Sequence, residues 1–158
     1  VARQPAADRQ HEGRRGDRQP TRIQPSARVA NSFISQGCVI EGEVSNSILS
    51  PGVKVLRGAK VRDSVIMHDS VIEAGAVVDH VIADKLSRFG SNSQVGLGDA
   101  KQENKRFPDH LKEGLTVVGK AAHIPAKIKV GTNCIVYPKV DASAFPAEEI
   151  SDGGTIVI

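Results

Sequence analysis

Apolar residues recur at intervals of six between residues 118 and 140. Two interleaved series make up the pattern: Val118, Ile124, Val130 and Val136, and Ala122, Ile128, Cys134 and Val140. An α-helix would repeat about every 3.6 residues, whereas six is a multiple of the two-residue period of a strand. Each hexad can therefore form a short strand with one inward face, followed by a turn. Three such strands close a triangular coil, and stacked coils form a parallel β-helix.

A longer repeat in residues 29–85 predicts the same architecture. The motif V-x-[ND]-[SH]-apolar-apolar begins at Val29, Val44, Val61 and Val77, at intervals of 15, 17 and 16 residues. Because these intervals fall slightly below three hexads, they predict one coil per motif with one shortened corner. Asn and Asp tolerate the left-handed backbone conformation that such a corner favours. Glycines are expected at further bends, namely Gly37, Gly52, Gly58 and Gly75.

The regular pattern has one interruption and stops short of both termini. Residues 97–114 (LGDAKQENKRFPDHLKEG) are polar and without period, so we expect a surface insertion with a short helical turn at residues 100–106. Residues 141–158 are expected to cap the open end of the β-helix. Residues 1–22 are basic and lack apolar periodicity, and we interpret them as a disordered, loosely attached or non-native tail. The predicted β-helix domain thus spans residues 23–158.

Composition narrows the functional classes. The 158 residues include no Trp, one Tyr and four Phe, which fits a narrow prism filled by small aliphatic side chains. The net charge is +3, but no aromatic residues are interleaved with the arginines of the N-terminal tail, so nucleic-acid binding is not expected. No apolar run approaches the roughly 18 residues of a membrane span, and no signal peptide is evident, so we expect a soluble cytoplasmic protein without a membrane partner. Cys38 and Cys134 fall on inward positions, which favours buried reduced thiols over a disulfide or metal site.

The hexads resemble the hexapeptide-repeat family of left-handed β-helices, and the left hand of the predicted fold comes from this resemblance, because the general crossover rule favours the right hand. Two stretches are more specific: SFISQGCVIEGEVSNSILSPGVKV with the later RDSVIM and VIADK, and GLTVVGKAAHIPAKIKVGTNC with the later SDGGTI. Together they resemble the C-terminal domain of bacterial glucose-1-phosphate adenylyltransferase over residues 18–158. The expected fold is all-β, a single left-handed parallel solenoid with a polar insertion loop.

The resemblance implies a regulatory and oligomerisation domain. Enzymes of that family make ADP-glucose and pyrophosphate from ATP and glucose 1-phosphate, with Mg²⁺, for glycogen or starch synthesis. Their N-terminal nucleotidyltransferase domain cradles the triphosphate with a loop of the form G-G-x-G-[ST]-R-L-x-P-L-T, and this chain contains no such loop. We therefore expect no catalytic residue, cofactor or metal here and no ADP-glucose synthesis by this chain alone. The expected partners are a catalytic domain and further copies of the chain, since the family is tetrameric.

The same resemblance implies a site for small anionic effectors, such as sugar phosphates. Lys85 in VIADK and Lys120 in TVVGKAAHIP match positions at which family members bind these anions. A lysine ammonium is a compact charge suited to phosphate, and we expect the two lysines to meet across adjacent coils. The rim of this effector site is predicted to contain Arg88, Lys101, Lys105 and Arg106.

Other readings remain open from the residues. A hexapeptide-repeat acyltransferase would use a histidine as general base, with His68, His80 and His123 as candidates, and His80 takes the position that Ser holds in the other repeats. A zinc site of the γ-carbonic-anhydrase kind needs three converging histidines, but the spacing of His68 and His80 predicts different corners of one coil. A purely structural trimerising β-helix is the third alternative.

Overall fold

The computed structural model describes residues 17–158, and short parallel strands account for nearly all of their regular structure. No helical segment among these residues is long and apolar enough to cross a membrane. One 3₁₀ turn is present, at Ala142–Ala144. The strands in chain order are β1 Arg22–Ile23, β2 Arg28–Ala30, β3 Phe33–Ile34, β4 Val39–Ile40, β5 Glu43–Ser45, β6 Ile48–Leu49, β7 Lys54–Val55, β8 Lys60–Arg62, β9 Val65–Ile66, β10 Val71–Ile72, β11 Val77–Asp79, β12 Val81–Ala83, β13 Arg88–Phe89, β14 Gln94–Val95, β15 Thr116–Val118, β16 His123–Ile124, β17 Lys129–Val130, β18 Ile135–Val136, β19 Glu149–Ile150 and β20 Thr155–Ile156.

The strands form three sheets, and successive strands of the chain go to successive sheets. The first sheet has six strands in the order β1-β4-β7-β10-β13-β16. The second sheet runs from β2 to β19 and the third from β3 to β20, with seven strands each. Each of these pairings is parallel. This arrangement confirms the predicted all-β, left-handed parallel β-helix.

The core is a stack of identical slots inside the triangular prism. Ile40, Val55, Ile72 and Phe89 align in neighbouring strands of the first sheet, and all four are fully buried. Burial of each aliphatic side chain of this size contributes about 1.5–3 kcal/mol. Because each slot repeats every coil, at about 4.8 Å, aliphatic side chains fill most of the slots, and Phe89 is the one aromatic among these four, in keeping with the low aromatic content.

Both cysteines lie in this stack as free thiols. Cys38 and Cys134 are fully buried and form no disulfide, as the sequence predicted. Burial raises the pKa of each thiol above its usual value. The protonated, inaccessible form is therefore favoured, and the two residues act as small apolar core groups.

The connection from each second-sheet strand to the following third-sheet strand forms the asparagine corner. Asn31, Asn46 and Asp63 occupy it in successive coils with φ of 44°, 48° and 46°. The amide of Asn31 donates to Asn46 Oδ1 at 2.8 Å, and the amide of Asn46 donates to Asp63 Oδ1 at 3.2 Å. The buried residues on either side are five positions apart, as Val61 and Ile66 show, so the predicted shortened corner is confirmed.

The predicted register of the fourth motif is wrong by one residue. Val78 pairs with Val61, and Asp79 pairs with Arg62, so the motif begins at Val78 and not at Val77. His80 consequently takes the left-handed position, with φ of 52°, and not the serine position. The error arose because two adjacent valines both fit the motif, and only the fully buried one, Val78, points inward.

The 15-residue second coil has a separate cause at another corner. There only Glu41 and Gly42 connect β4 to β5, whereas four residues, 56–59, connect β7 to β8 in the following coil, two more than here. A Cβ on Gly42 would lie 2.3 Å from the carbonyl oxygen of Ala59. The tight turn therefore depends on glycine at this position.

The insertion, residues 97–114, connects β14 to β15 and is anchored by two buried asparagines. It forms turns and bends, and the helical turn predicted at residues 100–106 is absent. Asn104 donates to the carbonyl of Asn133 at 2.8 Å and accepts the backbone N–H groups of Arg106 and Phe107. Asn133 accepts the N–H of Gly114 at 2.8 Å. Side-chain amides thus replace the sheet hydrogen bonds that this segment lacks.

The two ends of the solenoid differ. After the 3₁₀ turn, Phe145 and Ile150 cover the last coil and are only 9% and 6% exposed. At the first coil, the inward residues Ile23 and Val29 are 58% and 38% exposed. Most of the predicted tail, residues 1–16, lies outside the described residues; its last part is described and holds Arg18, which bonds to Asp69.

Substitution of Gly52 by Val should destabilise the fold more than the same change at Lys54. Gly52 has φ of +78°, and its Cβ would meet Arg18 Nη1 at 2.1 Å, whereas Lys54 is exposed on a strand. Gly58 has a similar φ of +75°, but a Cβ there would make only ordinary contacts, with Gly75 N at 3.7 Å and Cα at 3.8 Å, so Gly58→Val isolates the backbone strain, about 1–3 kcal/mol. Thermal melts of the three valine variants should rank Lys54, Gly58 and Gly52 in order of increasing loss. Equal melting temperatures would contradict the assigned corners.

Candidate functional site

The two predicted effector lysines are neighbours on one edge of the prism. We call the connection from each third-sheet strand to the next first-sheet strand the lysine corner. The N–H of Ala121 donates to the carbonyl of Lys85 at 3.0 Å, and the N–H of Leu86 donates to the carbonyl of His68 at 2.9 Å. His68, Lys85 and Lys120 therefore hold equivalent positions in successive coils, about 4.8 Å apart.

Both lysine side chains face solvent without a counter-ion. Lys85 and Lys120 are exposed, and within residues 17–158 neither ammonium group forms an ion pair. Asp84 is adjacent to Lys85 in sequence, but its carboxylate accepts the backbone N–H of Lys85 at 2.7 Å. The backbone of the corner holds the two cations side by side, where like-charge repulsion favours a shared anion.

Arg88, the first predicted rim residue, has a partner of its own. It begins β13, and its guanidinium is hydrogen-bonded to Glu73. Glu73 also accepts the backbone N–H of Ser91 at 2.9 Å. Although burial alone would raise the pKa of Glu73, the bonds from Arg88 and Ser91 hold it below its usual value. Arg88 therefore lies beside the corner, but its charge is already paired with Glu73.

The three rim residues predicted in the insertion do not form a group. The backbone of Lys101 bonds to Asp99, and the backbone N–H of Lys105 donates to Gly153, on the asparagine-corner side. The guanidinium of Arg106 lies 5.9 Å from the centroid of the Tyr137 ring, a cation–π contact. Tyr137 follows Val136, which pairs with Val118, so its ring lies in the coil above Gly119 and Lys120. Of the three, Arg106 is directed toward the lysine corner.

Arg18 and Asp69 complete the lysine corner, and sequence analysis missed both. Arg18 Nη1 lies 2.6 Å from Asp69 Oδ1, and Nη2 lies 2.8 Å from Oδ2. The bond from Arg18 lowers the pKa of the Asp69 carboxyl below its usual value. Asp69 directly follows His68, one coil before Lys85. The two partners are 51 residues apart, so no local pattern reveals the pair.

A second candidate is a cleft of about 380 Å³ at the asparagine corner, beside the insertion. The donor atoms of Asp63, Asp79 and His80 lie within 4.8 Å of one another, an oxygen and nitrogen set that divalent metals accept. Asp79 is already bonded to Arg62 at 3.1 Å and to His80 Nδ1 at 2.7 Å. The guanidinium of Arg62 therefore already provides the positive charge that balances this carboxylate.

The three candidate histidines lie at three different places. His68 is at the lysine corner, His80 is at the asparagine corner, and His123 begins β16 in the first sheet, paired in register with Arg88. The predicted separation of His68 and His80 onto different corners is thereby observed. The three imidazoles do not converge on a common point, as a three-histidine zinc site requires.

Comparison with known proteins gives a consistent set of relatives. A family model described as "GlmU-like, C-terminal hexapeptide" matches residues 20–118. Glucose-1-phosphate adenylyltransferase of Thermomicrobium roseum is 44% identical over 141 residues, which are 89% of this chain and 33% of that protein. The enzyme of the same name from Acetivibrio thermocellus is 34% identical over 135 residues, 85% of this chain and 32% of its own length. The chain thus spans about a third of these relatives.

Among solved structures, a putative acetyltransferase from Desulfovibrio desulfuricans G20 matches with a TM-score of 0.50. The match covers 95% of this chain and 29% of that chain, at 13% sequence identity. At that identity the likeness concerns the fold and carries no information on activity.

The Arg18–Asp69 pair should make stability depend on pH in the acid range. Because the folded-state pKa of Asp69 is lowered, its contribution is complete above the unfolded carboxyl pKa, about 3.9, and is lost as pH falls through the lower folded value. Asp69→Asn should therefore cost about 0.2–1 kcal/mol at pH 7 and progressively less below pH ~4, as urea melts would show. Asp109→Asn, which removes an exposed carboxylate in the insertion, is the charge control. A pH-independent difference for Asp69→Asn would contradict this assignment.

Proposed function

The chain belongs to the GlmU-like C-terminal hexapeptide family, and from this premise we propose that it is the regulatory and oligomerisation domain of a glucose-1-phosphate adenylyltransferase. The proposed enzyme converts ATP and glucose 1-phosphate to ADP-glucose and pyrophosphate. Its catalysis is assigned to a nucleotidyltransferase domain, since the match covers about a third of each relative. The role of this chain is then to bind small anionic effectors and to mediate assembly.

The observation that carries the regulatory proposal is the stacking of Lys85 and Lys120 at one corner without counter-ions. Two ammonium groups on a rigid edge, about 4.8 Å apart at the backbone, can both donate to one phosphate group. Arg106, held over Tyr137, supplies a further cation from the insertion. Because the site is open to solvent, we expect weak binding with a strong dependence on salt.

Titration with inorganic phosphate and with fructose 1,6-bisphosphate tests this proposal. At low ionic strength, Lys85→Ala/Lys120→Ala should weaken calorimetric binding by at least about tenfold, ~1.4 kcal/mol, because both donors are lost. The matched control is Lys60→Ala/Lys129→Ala, which removes two exposed lysines from strands of the second sheet, away from the corner. Binding by the wild type should also weaken as salt is added. Equal affinity of the corner variant and the wild type would refute the assignment.

The assembly proposal is supported by the uncovered first coil. Ile23 and Val29 expose apolar surface there, together with Phe33, which is 78% exposed on the adjacent outer face. The edges of β1, β2 and β3 that point away from the solenoid also lack strand partners among the described residues. Apolar surface and free strand edges in one place favour association.

Light scattering over a concentration series should detect self-association of the wild type. Ile23→Lys places a charge on the uncovered coil and should shift the series toward monomer without a large loss of stability, since Ile23 is 58% exposed. Phe107→Lys, at a 37% exposed position of the insertion, is the control and should leave association unchanged. A wild type that remains monomeric at high micromolar concentration would contradict self-association through this end.

A further inference from the structure

The side chain of Arg18 lies along the lysine corner, in a space that exists because two corner residues are glycines. It passes Gly37 and Gly52 on its way to Asp69. A Cβ on Gly37 would lie 3.1 Å from Arg18 Cβ and Cδ, and one on Gly52 would lie 2.1 Å from Nη1. The structure therefore accommodates the whole length of this side chain and not just its charged end.

The positive φ of these corner positions does not by itself require glycine. The equivalent residues of later coils also have positive φ and are not glycine: Asp69, which Arg18 meets only with its charged end, and then Leu86, Ala121 and Lys139, with φ between 56° and 62°. Glycine thus occurs at the corner where Arg18 passes and gives way to larger residues beyond it. Space for Arg18 is the property that distinguishes Gly37 and Gly52.

The end of the space that Arg18 occupies adjoins the proposed anion site. The N–H of Leu86 bonds to His68, so Asp69 lies one coil before Leu86, and Lys85 is adjacent to Leu86. The corner therefore presents the guanidinium of Arg18, then Lys85, then Lys120, at steps of about one coil, ~4.8 Å. Asp69 is the carboxylate that neutralises the first of these three cations.

Replacement of Asp69 by a phosphate as the partner of Arg18 requires little free energy. The pair is exposed, with 31% of the Arg18 and 41% of the Asp69 side chain accessible, so water can solvate Asp69 when it is released. The guanidinium uses two N–H groups in a fork, and the same fork fits two oxygens of a phosphate. A phosphate near two lysines also carries more charge than the carboxylate.

We propose that Arg18 is a third, switchable cation of the anion site, which leaves Asp69 for a phosphate bound at Lys85 and Lys120. This inference rests on the proposed function of those two lysines. Arg18 belongs to the segment that leads into the first strand, so anion binding changes how that segment is held against the β-helix. By thermodynamic linkage, release of Arg18 from Asp69 strengthens anion binding by the same factor by which anion binding favours that release.

A double-mutant cycle with inorganic phosphate as the probe tests the exchange. By calorimetry at low ionic strength, Arg18→Gln should weaken binding about three- to tenfold, and Asp69→Asn should strengthen it by a similar factor. In the Arg18→Gln background, Asp69→Asn should have little effect, because no guanidinium is left to release. If Asp69→Asn strengthens binding equally in both backgrounds, Asp69 acts through repulsion alone and the proposal is wrong. Arg57→Gln, an exposed arginine at another corner, is the matched control.

An NMR measurement separates this proposal from the function on which it rests. The Nε–Hε signal of Arg18, assigned by its loss in Arg18→Gln, should shift with phosphate in the wild type and not in Lys85→Ala/Lys120→Ala. If the lysine variant loses binding while the Arg18 signal and the Arg18→Gln affinity stay unchanged, the exchange is refuted and the anion site stands. If the wild type binds no phosphate, both are refuted.

Discussion

Each coil of this solenoid must bend sharply at three corners while the chain rises by one strand spacing along the axis. Left-handed backbone conformations make those bends possible. Eleven residues other than glycine adopt them in the described chain. Each costs about 1–2 kcal/mol relative to the ordinary region, except where Asn or Asp bonds locally. The cost is offset because every corner aligns the next strand with the one below, which completes the sheet hydrogen bonds and closes the core. The side-chain ladder from Asn31 through Asn46 to Asp63 adds bonds at the corner itself.

Local periodicity was sufficient to predict the coils of the β-helix, but it did not predict the contacts that the N-terminal segment and the insertion make with them. The hexads identified the inward stack, from Ile40 to Val136, because inward and outward positions alternate within a few residues. Adjacent valines at 77 and 78 defeated the pattern, since both satisfy it and only packing decides between them. The pair of Arg18 and Asp69 and the anchoring of Asn104 on Asn133 join residues far apart in sequence, and neither carries a period. A segment with no apolar pattern was therefore read as a tail, although its last residues bond to the solenoid.

The candidate site shows how a solenoid converts distance in sequence into proximity. Lys85 and Lys120 are separated by a coil that contains the entire insertion, yet they are nearest neighbours at their corner. The insertion leaves after β14 and returns at β15, so it adds length to one coil without moving the others. The sequence could match the two lysines to a family pattern, but their shared corner follows from the register. Lys101 and Lys105, which are near Lys120 in sequence, are held on the other side by their backbone bonds.

The unequal ends of the prism limit the kinds of assembly open to it. At one end Phe145 and Ile150 are buried, while at the other end Ile23 and Val29 are exposed. A rod with two adhesive ends would add copies indefinitely and grow into a filament. Burial of Phe145 reduces the apolar surface that the C-terminal end offers to a further copy, whereas the outer edges of β19 and β20 still lack strand partners among the described residues. Open-ended growth through both ends is therefore less favoured than contact through the first coil.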